Sequence, residues 1–419
     1  MQLVDVRRFV AAGVIAAIGL GPACGGEIPR YALDGGFGPT DPPAISMRGR
    51  LVVSNNGDDT ISVVDPEATA TALRVPTGLE PIEPEGPHHL SASPDGTALF
   101  VNISYSVVGG GGGPHGAHGN GTMPGFVLKL STSDGAILAK TLVDRNPGDN
   151  ELSPDGATLY VSHYDLPAWT KGVATGNIRD GDSNLIAIDT ATMAVKWKVA
   201  ICPAAHGLRL SRDGNTLYAT CAPDEIAVVD LTSTPIGVRR VPLPGFSEGE
   251  GCLRCPYAVS VAPDDSVWVA SIGPSNGRDG QGSIDVYDPA TGDFDPARRL
   301  PLQGRALFPA FVPTPAAAGG GYRAYVPEQQ GAAGDFVRVF DVAAAGAPGV
   351  ETPLPITLAS ADCQNAHVID IDAARNEARV VCEGDHTRPG SMVFIDIAAQ
   401  SVSRSLQLGV FPDDIAVVP

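Results

Sequence analysis

The sequence predicts an all-β protein, a seven-bladed β-propeller of four-stranded antiparallel blades whose ring closes by pairing the C-terminal strand with the N-terminal one. Three observations predict it. The 419 residues include 50 Gly and 37 Pro with few amphipathic helical stretches, a composition of short strands joined by many turns that disfavours helical solenoids and βαβ folds. A turn signature recurs, as "SPDG" at 93–96 and 153–156, "SRDG" at 211–214 and a weaker "APDD" at 262–265. Finally, two kinds of strand-like run each occur seven times along the chain.

The corners come first in each unit. Pro at the second position presets φ for a type I turn and Gly at the fourth relaxes the exit, so each signature reads as a hairpin corner. Short β-rich runs follow these corners: "ALFVN" 98–102, "TLYVS" 158–162, "TLYAT" 216–220 and "SVWVA" 266–270. "LVVSN" 51–55, "RAYVP" 323–327 and "ARVVC" 378–382 fit the same slot without a clean corner. A third run, usually ending in an acid, is "ISVVD" 61–65, "FVLKL" 126–130, "LIAID" 185–189, "IAVVD" 226–230, "IDVYD" 284–288, "VRVFD" 337–341 and "MVFID" 392–396. A fourth follows each, for example "AVKWKVA" 194–200, "GVRRVPL" 237–243 and "SRSLQLG" 403–409. Four strands in seven units make seven blades. The unit is longer than a WD40 blade of about 40–45 residues and lacks its Gly-His and Trp-Asp marks. The chain ends on "DDIAVV" 413–418, a strand of the kind that precedes a corner, while 50–55 lacks that partner. Together they complete one blade, which leaves no free sheet edge at the join.

Ahead of the ring, Arg7 and Arg8 precede an apolar run from Phe9 to Leu20, which reads as a secretory signal over residues 1–23. It is too short to span a bilayer. Cys24 in "LGPAC" stands where a lipoprotein is cleaved and acylated, with plain secretion as the alternative. Residues 24–46 are then a flexible spacer and 47–419 the propeller. The expected location is the periplasm or cell surface, anchored to the outer membrane by lipid or else secreted, with no other membrane contact. Losing Arg7, Arg8 and Asp5 with the leader leaves 26 basic against 46 acidic residues, a balance that repels nucleic acid.

"GPHHLSASPDGTALFVN" followed by "VLKLSTSDG", and "SNNGDDTISVVDPEA" near the start, resemble the YVTN-type repeat propellers of bacterial surface and periplasmic proteins, over roughly residues 47–419. The resemblance implies the fold. It does not fix an activity, because relatives include lactonase-like enzymes, quinoprotein dehydrogenase subunits, the propeller of nitrous oxide reductase and proteins with no assigned reaction.

Loops before a first strand and after a second share one face of such a ring, here called the loop face. Counting back from the corners places His88, Gly148, His206, Tyr257, Pro309, His367 and Asp413 at the entries of the innermost strands, with Tyr257 and Asp413 at the channel mouth. "CPAAH" 202–206 and "CQNAH" 363–367 are each followed by a cysteine fifteen residues after the histidine. In an oxidising compartment this reads as two disulfides, Cys202–Cys221 and Cys363–Cys382, each pinning a loop and holding a histidine near the mouth. Cys252 and Cys255 in "GCLRCP" form a third, short-range pair or else a redox or metal-binding thiol pair; Pro256 rules out a motif for covalent haem. "GFSEG" 245–249 lies in a loop, so Ser247 is not expected to be a nucleophile. "DGDSN" and "NGRDGQG" lack a full calcium-loop spacing.

All eight histidines fall on the predicted loop face. His88, His206 and His367, from well-separated blades, are the expected ligands of a copper, zinc or iron ion, with His89, His115, His118, His163 and His386 as additional candidates. The histidine-lined propeller of nitrous oxide reductase offers a fold-level precedent. The first functional expectation is a binding module that holds a ligand, metal or envelope partner protein on this face. The alternative is a metal-dependent oxidoreductase or lactonase-like hydrolase using the same residues.

Overall fold

The computed structural model describes residues 45–67, 73–78, 85–105, 119–246, 252–274, 281–314, 320–329 and 334–419. The leader, Cys24, His115, His118 and Ser247 lie outside the described residues.

Seven antiparallel sheets surround one axis. Counted from the blade that joins the two chain ends, the innermost strands are Pro412–Val417, Glu85–Ala92, Pro147–Leu152, Leu208–Leu210, Pro256–Val261, the split pair Arg305–Ala306 and Ala310–Pro313, and Ala366–Asp372. Closure pairs Leu51 with Val417, Val52 with Ala416 and Val53 with Ile415. Inner and second strands are covered on both faces by neighbouring blades, so burial along them does not alternate: every residue of Leu51–Asn55 and of Thr158–His163 is buried. Outer strands such as Ile137–Arg145 have one wet face and alternate. The core lies between blades, as where Val52, Ile61 and Val63 of blade one pack with Leu99, Val101 and Phe126 of blade two.

The recurring corner has a physical cause. Ser93 Oγ donates to Asp95 Oδ1 at 2.6 Å and accepts from the Ala98 N–H at 2.9 Å. Ser153 and Ser211 repeat the arrangement with Asp155 and Thr158, and with Asp213 and Thr216. The closing glycines Gly96, Gly156 and Gly214 sit at φ of +66°, +70° and +71°, where a Cβ is strained. The acid that ends the third strand caps the turn after it: Asp65, Asp189, Asp230, Asp288 and Asp396 each accept a backbone N–H two or three residues on, at 2.8–2.9 Å.

Two features depart from the sequence reading. Blade six splits both its inner strand and its outer strand, the latter into Gly349–Glu351 and Ile356–Leu358. A helix, α1, spans Leu166–Thr175 on the loop face after His163; Asp165 caps it, Pro167 lies in its first turn, and Gly176 ends it in the left-handed conformation.

Three disulfides are present, Cys202–Cys221, Cys363–Cys382 and Cys252–Cys255, with Cα separations of 5.8, 5.2 and 5.0 Å. The first two tie the entry loops of blades four and seven to the second strand of the same blade. Replacing Cys202 and Cys221 together by alanine is expected to lower stability by about 3 kcal/mol, from the entropy of the loop they close. Denaturant unfolding of oxidised protein measures it, and an unchanged midpoint would contradict a structural role.

Candidate metal centre

Consecutive residues of a regular strand point to opposite faces, yet His88 and His89 both reach the axis. A β-bulge makes this possible. In blade two the register steps between Pro87↔Ile103 and Leu90↔Val101, so His88 and His89 together face the single residue Asn102. The same extra residue recurs at the same level in every inner strand. Gly148 and Asp149 face Ser162, His367 and Val368 face Val381, and Asp413 and Asp414 face Ser54. Tyr257 is the extra residue of blade five. In blade four Thr220 bonds to both the His206 N–H and the Gly207 carbonyl. Blade six sets Leu307, Phe308 and Pro309 against Val326 and Pro327.

Hydroxyls opposite the bulges take up displaced N–H groups. Ser54 Oγ accepts from Asp414 at 3.0 Å, Ser162 Oγ from Asp149 at 3.0 Å, and Thr220 Oγ1 from Gly207 at 2.9 Å. Polar residues in otherwise apolar second strands thus mark where the site-forming kink lies.

His88, His89 and His206 each offer a ring nitrogen within 4.8 Å of the others, and all three are fully buried. Their ring centroids are 4.4, 5.3 and 5.3 Å apart. The second nitrogens are oriented by acceptors: His206 Nδ1 donates to the Tyr257 carbonyl at 3.2 Å, and His89 Nδ1 lies 3.2 Å from both Asp149 Oδ1 and Asp414 Oδ2. His89 Nε2 has no hydrogen-bond partner among the described residues. Tyr257 stacks on His206 at 3.7 Å, and Tyr164 meets it edge-on at 5.1 Å. Gly148 leaves room here, because a Cβ would come within 3.0 Å of Ser162 Oγ and 3.4 Å of His206 Cα.

His367 takes another partner. Its Nδ1 lies 2.6 Å from Asp413 Oδ1 and 4.0 Å from Glu383 Oε1, while Asp413 Oδ2 is 2.8 Å from His88 Nε2. Of the three expected ligands, the structure therefore brings His88 and His206 together with His89, and joins His367 to the group through a carboxylate. His386 bonds Glu383 at 2.6 Å and stacks on Phe411 at 3.7 Å. His163 donates to the Asn184 carbonyl at 2.7 Å, apart from the cluster. Phe308, rather than the neighbouring Pro309, occupies the blade-six position on the axis, 5.5 Å from His89 and 5.7 Å from His367; the count slipped because blade six has no clean corner. Asp149, Asp414 and Arg209 were not anticipated. The doublets His88-His89, Gly148-Asp149 and Asp413-Asp414, polar or side-chain-free pairs in a buried strand, were the available signal.

Burial opposes charge on His89, His367 and Asp413, but their neighbours outweigh it. Burial would lower the pKa of His89, yet Asp149 and Asp414 raise it. Burial would likewise lower that of His367, and Asp413 followed by Glu383 carries it to about 9. Asp413 is held well below the carboxylate range by His88 and His367 despite burial. Burial pushes the His163 imidazole down, towards its neutral form. Below the cluster Arg209 Nη1 donates to Asp149 Oδ2 at 2.5 Å and lies 3.8 Å from Glu151 Oε2. Its guanidinium sits 5.2 Å from the Phe308 ring.

Because the folded-state pKa of His367 is raised, the stability it adds is complete below the unfolded histidine value of about 6.5 and disappears as pH rises through about 9. Metal-free protein should therefore melt at progressively lower temperature between pH 6.5 and 9.5, and His367→Asn should flatten that slope. Melting curves with chelator present test this; equal slopes for the two proteins would contradict the pairing.

No family model matches the chain, and no curated protein matches it by sequence. Solved structures do. Hydrazine synthase of Kuenenia stuttgartiensis is similar at 16% identity and a TM-score of 0.56, covering 82% of this chain and 92% of that one. A functionally unknown protein from Desulfotomaculum acetoxidans is similar at 11% identity and a TM-score of 0.59, covering 88% and 98%. Dihydro-heme d1 dehydrogenase NirN is similar at 13% identity and a TM-score of 0.51, covering 90% and 78%. At these identities the likeness is one of fold.

Proposed function

We propose that the chain is an extracytoplasmic metal-binding propeller in which His88, His89 and His206 hold one first-row transition ion on the ring axis. The observation that carries this reading is three buried imidazoles, from two blades, with ring nitrogens within 4.8 Å of one another. Neutral imidazole suits zinc, copper and iron, and three such ligands leave a coordination position open. His206 is already oriented as a ligand by the Tyr257 carbonyl, and His89 by Asp149 and Asp414. The raised pKa of His89 means that a proton leaves its ring when an ion enters, so affinity increases with pH through that titration. Asp413 Oδ2 lies 2.8 Å from His88 Nε2 and the Pro147 carbonyl 3.3 Å from its Nδ1, so one of these contacts yields when the ring takes an ion; Asp413 also ties His88 to His367, which serves the centre without ligating it.

Export is supported by the apolar run Phe9 to Leu20 behind Arg7 and Arg8, which reads as a leader over 1–23, and by three disulfides, which persist in oxidising compartments. Acylation of Cys24 would tether the ring to the envelope through the spacer. The primary role proposed is binding, with a small ligand or an envelope partner reading the loaded state. Hydrazine synthase and NirN are named as enzymes, but likeness of fold carries no reaction across.

Chelator-stripped protein titrated with zinc or cobalt(II) should bind one ion per chain, cobalt giving a visible ligand-field band. His89→Ala/His206→Ala should bind none, and His367→Asn should keep the ion. Failure of the wild type to bind any of these ions, or full retention by the double variant, would overturn the assignment.

A further inference from the structure

The histidines enter the ring from the loop face, so a ligand would be expected to arrive there. Burial along the inner strands points the other way. At the level of the bulges His88, His206, His367 and Asp413 are fully buried, Tyr257 is 1% exposed and Phe308 2%. Further towards the hairpin corners Arg209 and Glu151 have side chains 27% and 30% exposed. Arg209 is on the axis, because it bonds Asp149 of blade three and covers Phe308 of blade six across the ring. Both flanks of an inner strand are covered by adjacent blades, and these two side chains, on the corner side of the cluster, keep an exposure that the groups at the bulges lack.

We propose that the chamber is loaded from the corner face by a divalent cation that passes Glu151 and Arg209 on the ring axis. This refines the metal-centre reading and rests on it for the identity of the cargo. Glu151 is the first carboxylate the cation meets, and Asp149 and Asp414 follow, both 3.2 Å from His89. Along this approach the carboxylates Glu151, Asp149 and Asp414 outnumber the single guanidinium of Arg209, and such an excess concentrates the counter-ion. Arg209 narrows this path. It is anchored at 2.5 Å to Asp149 Oδ2 and to the Leu208 carbonyl, but only loosely, at 3.8 Å, to Glu151. An ion can therefore take Glu151 from it without breaking the anchored contacts. On the loop face, by contrast, Tyr257 is stacked flat on His206 and Tyr164 stands against both rings, with centroids 5.1 and 5.8 Å away.

Two measurements on the full-length chain test the route. The first needs no metal: stripped protein is treated with diethyl pyrocarbonate and the modified histidines are mapped by mass spectrometry. Arg209→Met should speed modification of His89 several-fold relative to His386, and Tyr164→Ala should leave that ratio unchanged. In the second, zinc uptake is followed by stopped flow. Glu151→Gln, which leaves the Asp149–Arg209 pair intact, should slow uptake several-fold with the final stoichiometry unchanged. If Tyr164→Ala accelerates His89 modification while Arg209→Met and Glu151→Gln change neither rate, entry is from the loop face and the proposal is wrong. Should the wild type take up no zinc, the modification ratio still decides the route, and the metal-centre reading alone falls.

Discussion

Everything at the axis depends on one irregularity, an extra residue in each inner strand at a common level. A regular strand would turn one side chain of each consecutive pair away from its neighbour, so a ring of seven such strands could not bring His88, His89 and His206 within ligating distance. The bulge is costly, because a buried N–H left without a partner costs roughly 1–3 kcal/mol. The chain offsets that cost locally with Ser54, Ser162 and Thr220, whose hydroxyls accept the displaced donors. Carboxylates then bridge blades: Asp414 of blade one accepts from the Leu90 N–H of blade two at 2.9 Å, and Asp149 of blade three from the Leu208 N–H of blade four at 3.0 Å. The groups that orient the histidines are thus also among those that tie neighbouring blades together at the bulge.

This double duty explains why so many ionisable groups tolerate burial. Asp149, Asp413 and Asp414 lie within a chamber that excludes water, where an isolated carboxylate would take up a proton. Each instead faces a histidine, and Asp149 also faces Arg209. Removing one partner leaves an uncompensated charge, so the network holds as a unit. Asp149 and Asp414 are placed to face positive charge at His89, whether it is carried by a proton on the ring or, in the reading proposed above, by a metal ion.

The sequence carried most of the fold because the fold is periodic. Ser-Pro-Asp-Gly corners and acid-ended third strands recur since each repeat solves the same local problem, bonding a hydroxyl or carboxylate to the turn that follows. The cysteine pairs were legible for the same reason, at matching offsets from the corners of blades four and seven. The site was legible only in outline. Counting from corners gave His88, His206, Tyr257, His367 and Asp413 their level on the axis, but alternation left His89 only an additional candidate and hid Asp149 and Asp414. The bulge is a register fact between two strands, and one strand's residues do not display it. Blade six, split and without a clean corner, shows the limit of counting: Phe308 stands where Pro309 was expected. Helix α1 was missed because ten residues inside a loop carry no repeat.

The duplicated Cys-x3-His-x14-Cys motif finally separates what a repeat determines from what it does not. Both copies form the same disulfide, and both deliver a histidine to the bulge of their own blade. Their chemistry differs because of the blades beside them. His206 has Gly148 at the equivalent position of blade three, which leaves the space through which its ring approaches the His88-His89 pair of blade two, while Tyr257 of blade five closes its other side. His367 has Asp413 at the equivalent position of blade one, and the carboxylate captures its ring at 2.6 Å and spans onward to His88. The same motif, held by the same disulfide, thus places one histidine in the imidazole cluster and makes the other an ion-pair partner. The deciding residues are a glycine and an aspartate that lie outside both motifs, brought alongside only by closing the ring.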